Sequence, residues 1–272
     1  MRYATPPGGL PPQTQLMTDR AIFTEAYAVI PKGVQRDIVT SLFPGWEGAR
    51  GWILARPLSG FAETFSWTIM ELSPGGGSDA PEADPEAAAA LFLVSGEARV
   101  EIGDDVRSLG PGGFAYLPPG CGWKVRNERA QPAVFHWVRK AWEPAPGITP
   151  PDPIFCADAS MAVNWMPDSG EVWGTTRFID ANDLRHDFHL NVVTFKPGGV
   201  IPFAETHVME HGLYVLEGKA VYRLNGDWVE VEAGDFMWLR AFCPQGCYAA
   251  GPGNFRYLLY KDVNRLPRLR LR

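Results

Sequence analysis

The stretch Gly199-Val200-Ile201-Pro202-Phe203-Ala204-Glu205-Thr206-His207-Val208-Met209-Glu210-His211-Gly212 decides how the rest of the chain reads. Alternate side chains of a strand point to one face, so Glu205 and His207 project together. His211 joins them if the chain turns near Met209 and Glu210. Spacing alone therefore proposes three metal ligands gathered on one hairpin, followed by an apolar strand that ends at Gly218.

At 272 residues the chain can bury one large or two ordinary cores. Its 29 Gly and 25 Pro are spread throughout, and 12% of residues are aromatic, a composition suited to many short strands joined by tight turns. A net charge of −6 without a long basic run gives no footprint for nucleic acid. The basic tail, with Arg265, Arg268, Arg270 and Arg272, reads as a solvated terminus. The longest apolar run, 87–94, is far shorter than the ~20 residues that span a bilayer, so no membrane role is expected. The opening 1–15 is rich in Pro, Gly and Gln and lacks the apolar segment of a signal peptide, which points to the cytoplasm. Cys121, Cys156, Cys243 and Cys247 form no Cys-x-x-Cys pair and are expected as reduced thiols.

Strands are expected over 20–30, 52–56 and 63–72, the last stopped by Pro74-Gly75-Gly76-Gly77. An exposed acidic loop over 79–86 and short strands over 90–94, 98–102 and 114–117 follow. This spacing argues for a barrel or sandwich. The proline-rich segment 143–153 is the linker. Beyond it the sequence repeats at an offset of 122 residues: Val94-Ser95-Gly96-Glu97-Ala98 falls on Leu216-Glu217-Gly218-Lys219-Ala220, Gly112 on Gly234, and Tyr116-Leu117 on Trp238-Leu239. Pro74-Gly75-Gly76 meets Pro197-Gly198-Gly199 one step further on. One shift for so many pairs marks a duplicated β domain. The expected division is an arm at 1–18, a first barrel at 19–148 and a second at 149–272.

On these residues the chain resembles the cupins, whose first motif is Gly-x5-His-x-His-x3,4-Glu-x6-Gly. The second half reads Gly199-x5-Glu205-x-His207-x3-His211-x6-Gly218, with Glu and His exchanged at the outer positions. The second cupin motif begins at Gly234. Gln245 occupies its histidine position, and Arg240 and Phe242 replace its Pro and inner Gly. In the first half that motif is complete from Gly112 through Pro118, Gly120 and Asn127, except that Trp123 stands in place of the ligand histidine. Ala83, Pro85 and Ala89 hold the first-motif positions, and none of them binds a metal. The resemblance implies an all-β bicupin, two double-stranded β-helix (jelly-roll) barrels, with function in the second.

Glu205, His207, His211 and Gln245 are hard to borderline donors without a thiolate, a set suited to Mn(II), Fe(II), Ni(II) or Zn(II); a neutral Gln favours Mn(II). Four protein ligands leave two octahedral positions for substrate and water. Cys243 is expected to pack, and His136, His186 and His189 are read as structural, although His189 alternates with Asp187 and Asn191 and can face the barrel interior. Together with the ending 257–265, this pattern is similar to the (S)-ureidoglycine aminohydrolase family over about 19–265. That resemblance implies a Mn-dependent bicupin hydrolase of purine and allantoin breakdown that forms a homo-oligomer. By residue match its ligands are Glu205, His207, His211 and Gln245, with Tyr222, Tyr257 and Lys261 near a small-molecule substrate. Ammonia then leaves the aminal carbon and water adds to the imine, with Lys261 or a tyrosine carrying the proton. The general base is left open, and Glu210 can equally point to solvent. Two other readings stand beside it: a Mn or Fe oxygenase or decarboxylase acting on a small carboxylic acid, and a non-catalytic ligand-binding bicupin.

Overall fold

The computed structural model describes residues 3–6, 20–35, 43–57 and 59–262; most of the arm, the basic tail and the ending 263–265 lie outside them. The described residues form twenty-one strands joined by turns and loops, with helix confined to two short 3-10 turns. The first ten are β1 (Ile22–Phe23), β2 (Tyr27–Ile30), β3 (Glu47–Ala55), β4 (Ser66–Ser78), β5 (Ala87–Ser95), β6 (Ala98–Ile102), β7 (Asp105–Leu109), β8 (Gly113–Leu117), β9 (Trp123–Arg126) and β10 (Ala133–Ala141). After the linker come β11 (Ile154–Ala157), β12 (Val163–Trp165), β13 (Trp173–Arg177), β14 (Phe188–Phe195), β15 (Val200–Glu205), β16 (His211–Glu217), β17 (Lys219–Leu224), β18 (Asp227–Glu232), β19 (Phe236–Leu239), β20 (Gln245–Ala250) and β21 (Phe255–Asp262). No described helix is long and apolar enough to cross a membrane.

The 122-residue repeat is written into the backbone. β7 and β18 start at Asp105 and Asp227, β9 and β20 at Trp123 and Gln245, β10 and β21 at Ala133 and Phe255. Gly96 and Gly218 both sit in the left-handed region, at φ 73° and 76°. A Cβ at Gly96 would lie 2.2 Å from the Pro132 carbonyl oxygen, and one at Gly218 the same 2.2 Å from that of Asn254. Both turns thus need glycine for conformation and for closeness.

In the second half an eight-stranded sheet, ordered β1-β2-β19-β16-β21-β14-β13-β12, faces a four-stranded one, ordered β15-β20-β17-β18. Val193, Phe195, Leu213, Val215 and Met237 from the first meet Ile201, Ala220, Tyr222 and Val231 from the second in one buried interior. Met70, Leu72, Leu91, Leu117, Val125 and Phe135 fill the first barrel in the same way. The alternate residues of the large sheets, among them Trp67, Ile69, Phe92, Leu190, Tyr214 and Leu258, pack the two barrels together in a third cluster. The strands are apolar on both faces because one face fills a barrel and the other the contact between barrels.

Three local expectations need correction. Pro74-Gly75-Gly76-Gly77 does not end its strand: β4 runs through to Ser78, pairing Gly77 with Arg126 and Ser78 with Val125 of β9. Asn127 supports this bend by donating from Nδ2 to the Leu72 and Ser73 carbonyls at 3.1 and 3.2 Å, so the glycines bend the strand from one sheet into the other. The strand expected over 20–30 is two strands divided by a turn, where the Thr24 hydroxyl accepts from the amides of Ala26 and Tyr27. The strand expected over 52–56 starts earlier, at Glu47, because its partner β4 is long.

The sheets also do not follow the linker. β2 pairs with β19, from Tyr27↔Leu239 to Ile30↔Phe236, so the first of the described strands complete the second barrel. β11 pairs with β8, from Ile154↔Tyr116 to Ala157↔Gly113, so a strand beyond the linker completes the first.

Candidate active site

β15 and β20 pair so that Glu205 stands opposite Gln245. Across the barrel, His211 opens β16 and pairs with both Lys261 of β21 and Leu239 of β19. Lys261 in turn pairs with His189 of β14. His189, Lys261 and His211 thus form one row over three adjacent strands, all on the parity of the interior residues Val193, Tyr257 and Leu213. His207 lies on the turn between β15 and β16. Its carbonyl oxygen accepts the Phe242 amide at 2.6 Å, which ties that turn to the loop before Gln245.

His207 Nε2 is 3.6 Å from Glu205 Oε1, and the His207 and His211 rings are 5.0 Å apart. His211 is buried, and burial, aided by His207 and Lys261, pushes its pKa down to about 3; the ring is neutral and able to donate a lone pair. Lys261 is lowered from the ordinary lysine value first by burial and then by the Arg177 charge, while Glu205 and Asp262 act against this. Tyr222 and Tyr257 lie deeper, 1% and 5% exposed, with ring centroids 6.2 Å apart, and burial raises both phenols well above their usual pKa. Tyr222 pairs in register with Cys247, one interior position below Gln245.

Among the described residues no three His, Cys, Asp or Glu side chains are drawn together as a finished metal cluster. The donor chemistry nevertheless fits a divalent ion. Glu205 and His207 are adjacent, His211 is neutral beside them, and Gln245 offers an amide opposite Glu205 at only 7% exposure.

Glu210 does not point to solvent. Its carboxylate is buried, with Oε1 accepting from the Glu63 amide at 2.7 Å and Trp238 Nε1 at 2.6 Å. Oε2 accepts from the Thr64 amide at 2.9 Å and the Thr64 hydroxyl at 2.6 Å. Its own amide donates to Asp262 Oδ1 at 2.8 Å. Its four donors come from the 63–64 loop and from Trp238 of β19, so Glu210, next to His211 in the chain, ties the turn before β16 to the first barrel. Of the histidines read as structural, His136 accepts from Trp67 Nε1 at 2.9 Å and packs against Tyr214, and His186 packs against Tyr116, whereas His189 faces the second barrel's interior. The signal for His189 was the polar alternation with Asn191 inside an otherwise apolar strand. Cys243 is buried in the apolar interior, as expected for packing.

In the first barrel the corresponding mouth is a cavity of about 450 Å³ in which Ala83, Pro85 and Trp123 stand at the positions matching Glu205, His207 and Gln245, while Asp79, Glu82, Asp84 and Cys121 line it at other positions. Arg139, the counterpart of Lys261, is held there by both carboxylate oxygens of Glu82, with Nε 2.6 Å from Oε2.

Two β-barrels with one site between facing sheets define a duplicated-barrel protein with a single candidate centre. A cupin-domain family model matches residues 68–139 and 191–260, one segment in each barrel. The chain belongs to the cupin family. It is 28% identical over 253 residues to the (S)-ureidoglycine aminohydrolase of Escherichia coli K12, covering 92% of this chain and 94% of that one. The crystal structure of a Pseudomonas aeruginosa protein named for induction by glyoxylate superposes with a TM-score of 0.94, at 61% identity and over the whole of both chains. A Bacillus subtilis oxalate decarboxylase with Mn(II) centres superposes at a TM-score of 0.66 over 92% of this chain and 80% of that one; at 15% identity it shows the fold alone.

Proposed function

We propose that this chain is a metal-dependent aminohydrolase that releases ammonia from (S)-ureidoglycine to give (S)-ureidoglycolate, with Mn(II) held by Glu205, His207, His211 and Gln245. The observation that carries this reading is the asymmetry of the repeat. The four donors occur together in the second barrel, where the first has Ala83, Pro85, Ala89 and Trp123, and Lys261 stands in the same row as His211. Similarity to the aminohydrolases over nearly the full chain supports the substrate.

The metal, when bound, supplies a Lewis acid and a template for an anionic substrate. Lys261 carries the cation of the interior. With its pKa lowered, its Nζ is suited to hold the substrate carboxylate and to pass a proton to the departing nitrogen. The carbon–nitrogen bond to the amine breaks, ammonia leaves with that proton, the ureido nitrogen gives up its own proton, and water adds at the same carbon. Tyr222 and Tyr257 stay protonated at neutral pH and serve as donors in the apolar floor. The same reading makes the protein a cytoplasmic homo-oligomer of allantoin breakdown.

The test is to follow ammonia release and product chirality with Mn-loaded protein and freshly generated ureidoglycine. A rate no faster than spontaneous decay overturns the activity. Glu205→Ala and His207→Ala should each abolish stoichiometric metal while the barrel stays folded; retained metal overturns the ligand set.

A further inference from the structure

β14 is an apolar strand with three polar exceptions, of which Thr194 is satisfied by Arg256 Nε at 3.1 Å while His189 and Asn191 turn to the other face. Phe188, Leu190 and Val192 face the contact between barrels, while Val193 and Phe195 face the second barrel's interior. His189 and Asn191 share the interior parity and are 5% and 4% exposed. Neither His189 Nε2 nor Asn191 Oδ1 has a hydrogen-bond partner among the described residues. Leaving one such buried group unpaired costs about 1–3 kcal/mol. Two on one strand, beside Lys261, call for a partner that the described residues do not supply. Arg177 on β13 stands opposite Asn191, is exposed, and its charge is felt at both His189 and Lys261.

The repeat sharpens this. Arg139↔Ser66 in the first barrel corresponds to Lys261↔His189 in the second, so Ser66 and Thr68 are the counterparts of His189 and Asn191. Thr68 pairs with Ile53 where Asn191 pairs with Arg177. The barrel without this donor set thus has small hydroxyls and an aliphatic residue on this wall, and its cation is tied up by Glu82. The wall and the donor set change together.

We infer that His189, Asn191 and Arg177 form the substrate-holding wall of the second barrel, where the buried amide and imidazole take the hydrogen-bonding ureido end of a small carboxylate and Arg177 adds to the cationic field set by Lys261. The identity of the ureido compound rests on the proposed function; the wall itself rests on the unpaired groups and the repeat. A ureido group is planar and has donors and an acceptor close together, so it can meet Asn191 Oδ1 and the His189 ring at once.

The probe is hydantoate (ureidoacetate), which has the ureido and carboxylate ends but no amine to lose. Calorimetry on Mn-loaded protein should show binding to the wild type, weakened on the order of tenfold in both Asn191→Leu and Arg177→Gln, with metal content unchanged. With ureidoglycine the same variants should raise KM more than they lower kcat. Asn191→Leu also removes an unpaired buried acceptor, so its melting temperature should not fall, an outcome that a purely structural Asn would not give. Binding within twofold of wild type in both variants overturns the wall, as does failure of the wild type to bind hydantoate. If the wild type binds hydantoate but does not turn over ureidoglycine, the activity proposal falls while the wall stands.

Discussion

Glu210→Gln is the most informative single substitution at the contact between the barrels. Gln has the same shape, but one oxygen becomes an NH2 group. That group then faces two donors, either the Glu63 amide with the Trp238 indole or the Thr64 amide with the Thr64 hydroxyl. Two buried donors lose their acceptor at about 1–3 kcal/mol each. The other two exchange a charged acceptor for a neutral one of roughly half the strength. The Thr64 hydroxyl can turn toward Tyr260, 3.1 Å away, so the amide settles on that side and the loss stays near the lower half of the range. The expected destabilisation is about 3–4 kcal/mol, on the order of 10 °C in Tm. Urea denaturation of metal-free protein measures it without interference from metal binding. A loss below about 1 kcal/mol would refute the claim that this carboxylate locks the loop of the first barrel to the ligand turn of the second.

Other outcomes follow from single groups. His136 is fully buried and its pKa is pushed down to about 3 by desolvation, so below about pH 6.5 only the unfolded chain takes up its proton. Its contribution is intact above pH 6.5 and is lost as pH falls toward 3, at about 1.4 kcal/mol per unit; urea midpoints should drop between pH 7 and 5, with a shallower slope in His136→Gln, and equal slopes would contradict this. Gly96→Ala and Gly218→Ala should each cost about 2–4 kcal/mol and by similar amounts, since the added Cβ meets a carbonyl oxygen 2.2 Å away in both turns; a tolerated substitution at either site, judged by thermal melting, would refute the equivalence. Phe242 keeps at φ 65° the left-handed backbone that Gly120 has at φ 70° in the first half. Phe242→Gly should therefore be near neutral, while Phe242→Val should cost about 1–2 kcal/mol; equal losses in denaturation would show that the backbone conformation is not what matters there.

The duplication was legible because a repeat is a property of the chain itself: one offset aligned glycines, strands and motif positions, and the same offset separates the strands. The grouping of Glu205, His207 and His211 was legible from their spacing, but not from alternation: β15 ends at Glu205, and it is the turn before β16 that carries His207 to within 3.6 Å of the Glu205 carboxylate. Glu210 was not, because its four donors come from 63–64 and 238, and nothing local in Met209-Glu210-His211 tells a solvated carboxylate from a buried one. The run Pro74-Gly75-Gly76-Gly77 misled because a glycine cluster that ends a strand and one that bends it between sheets have the same composition; Asn127, fifty residues on, makes the difference. His189 carried a faint signal, but parity alone could not say whether its interior was a core or a site.

The crossing of β2 into the second barrel and of β11 into the first makes each barrel depend on the other. Each barrel borrows an edge strand from the other's side of the linker, as two exchanged protomers would if they were later joined end to end. A cut in the linker at 143–153 would leave each fragment with an open sheet edge and a surplus strand, so the fragments should recover order only when mixed. Tyr27 must also find Leu239 across more than two hundred residues, which ties closure of the second barrel to assembly of the whole chain. Substitutions should therefore be tolerated more readily at the mouth of the first barrel than in its outer strands, because those strands are part of the scaffold of its neighbour.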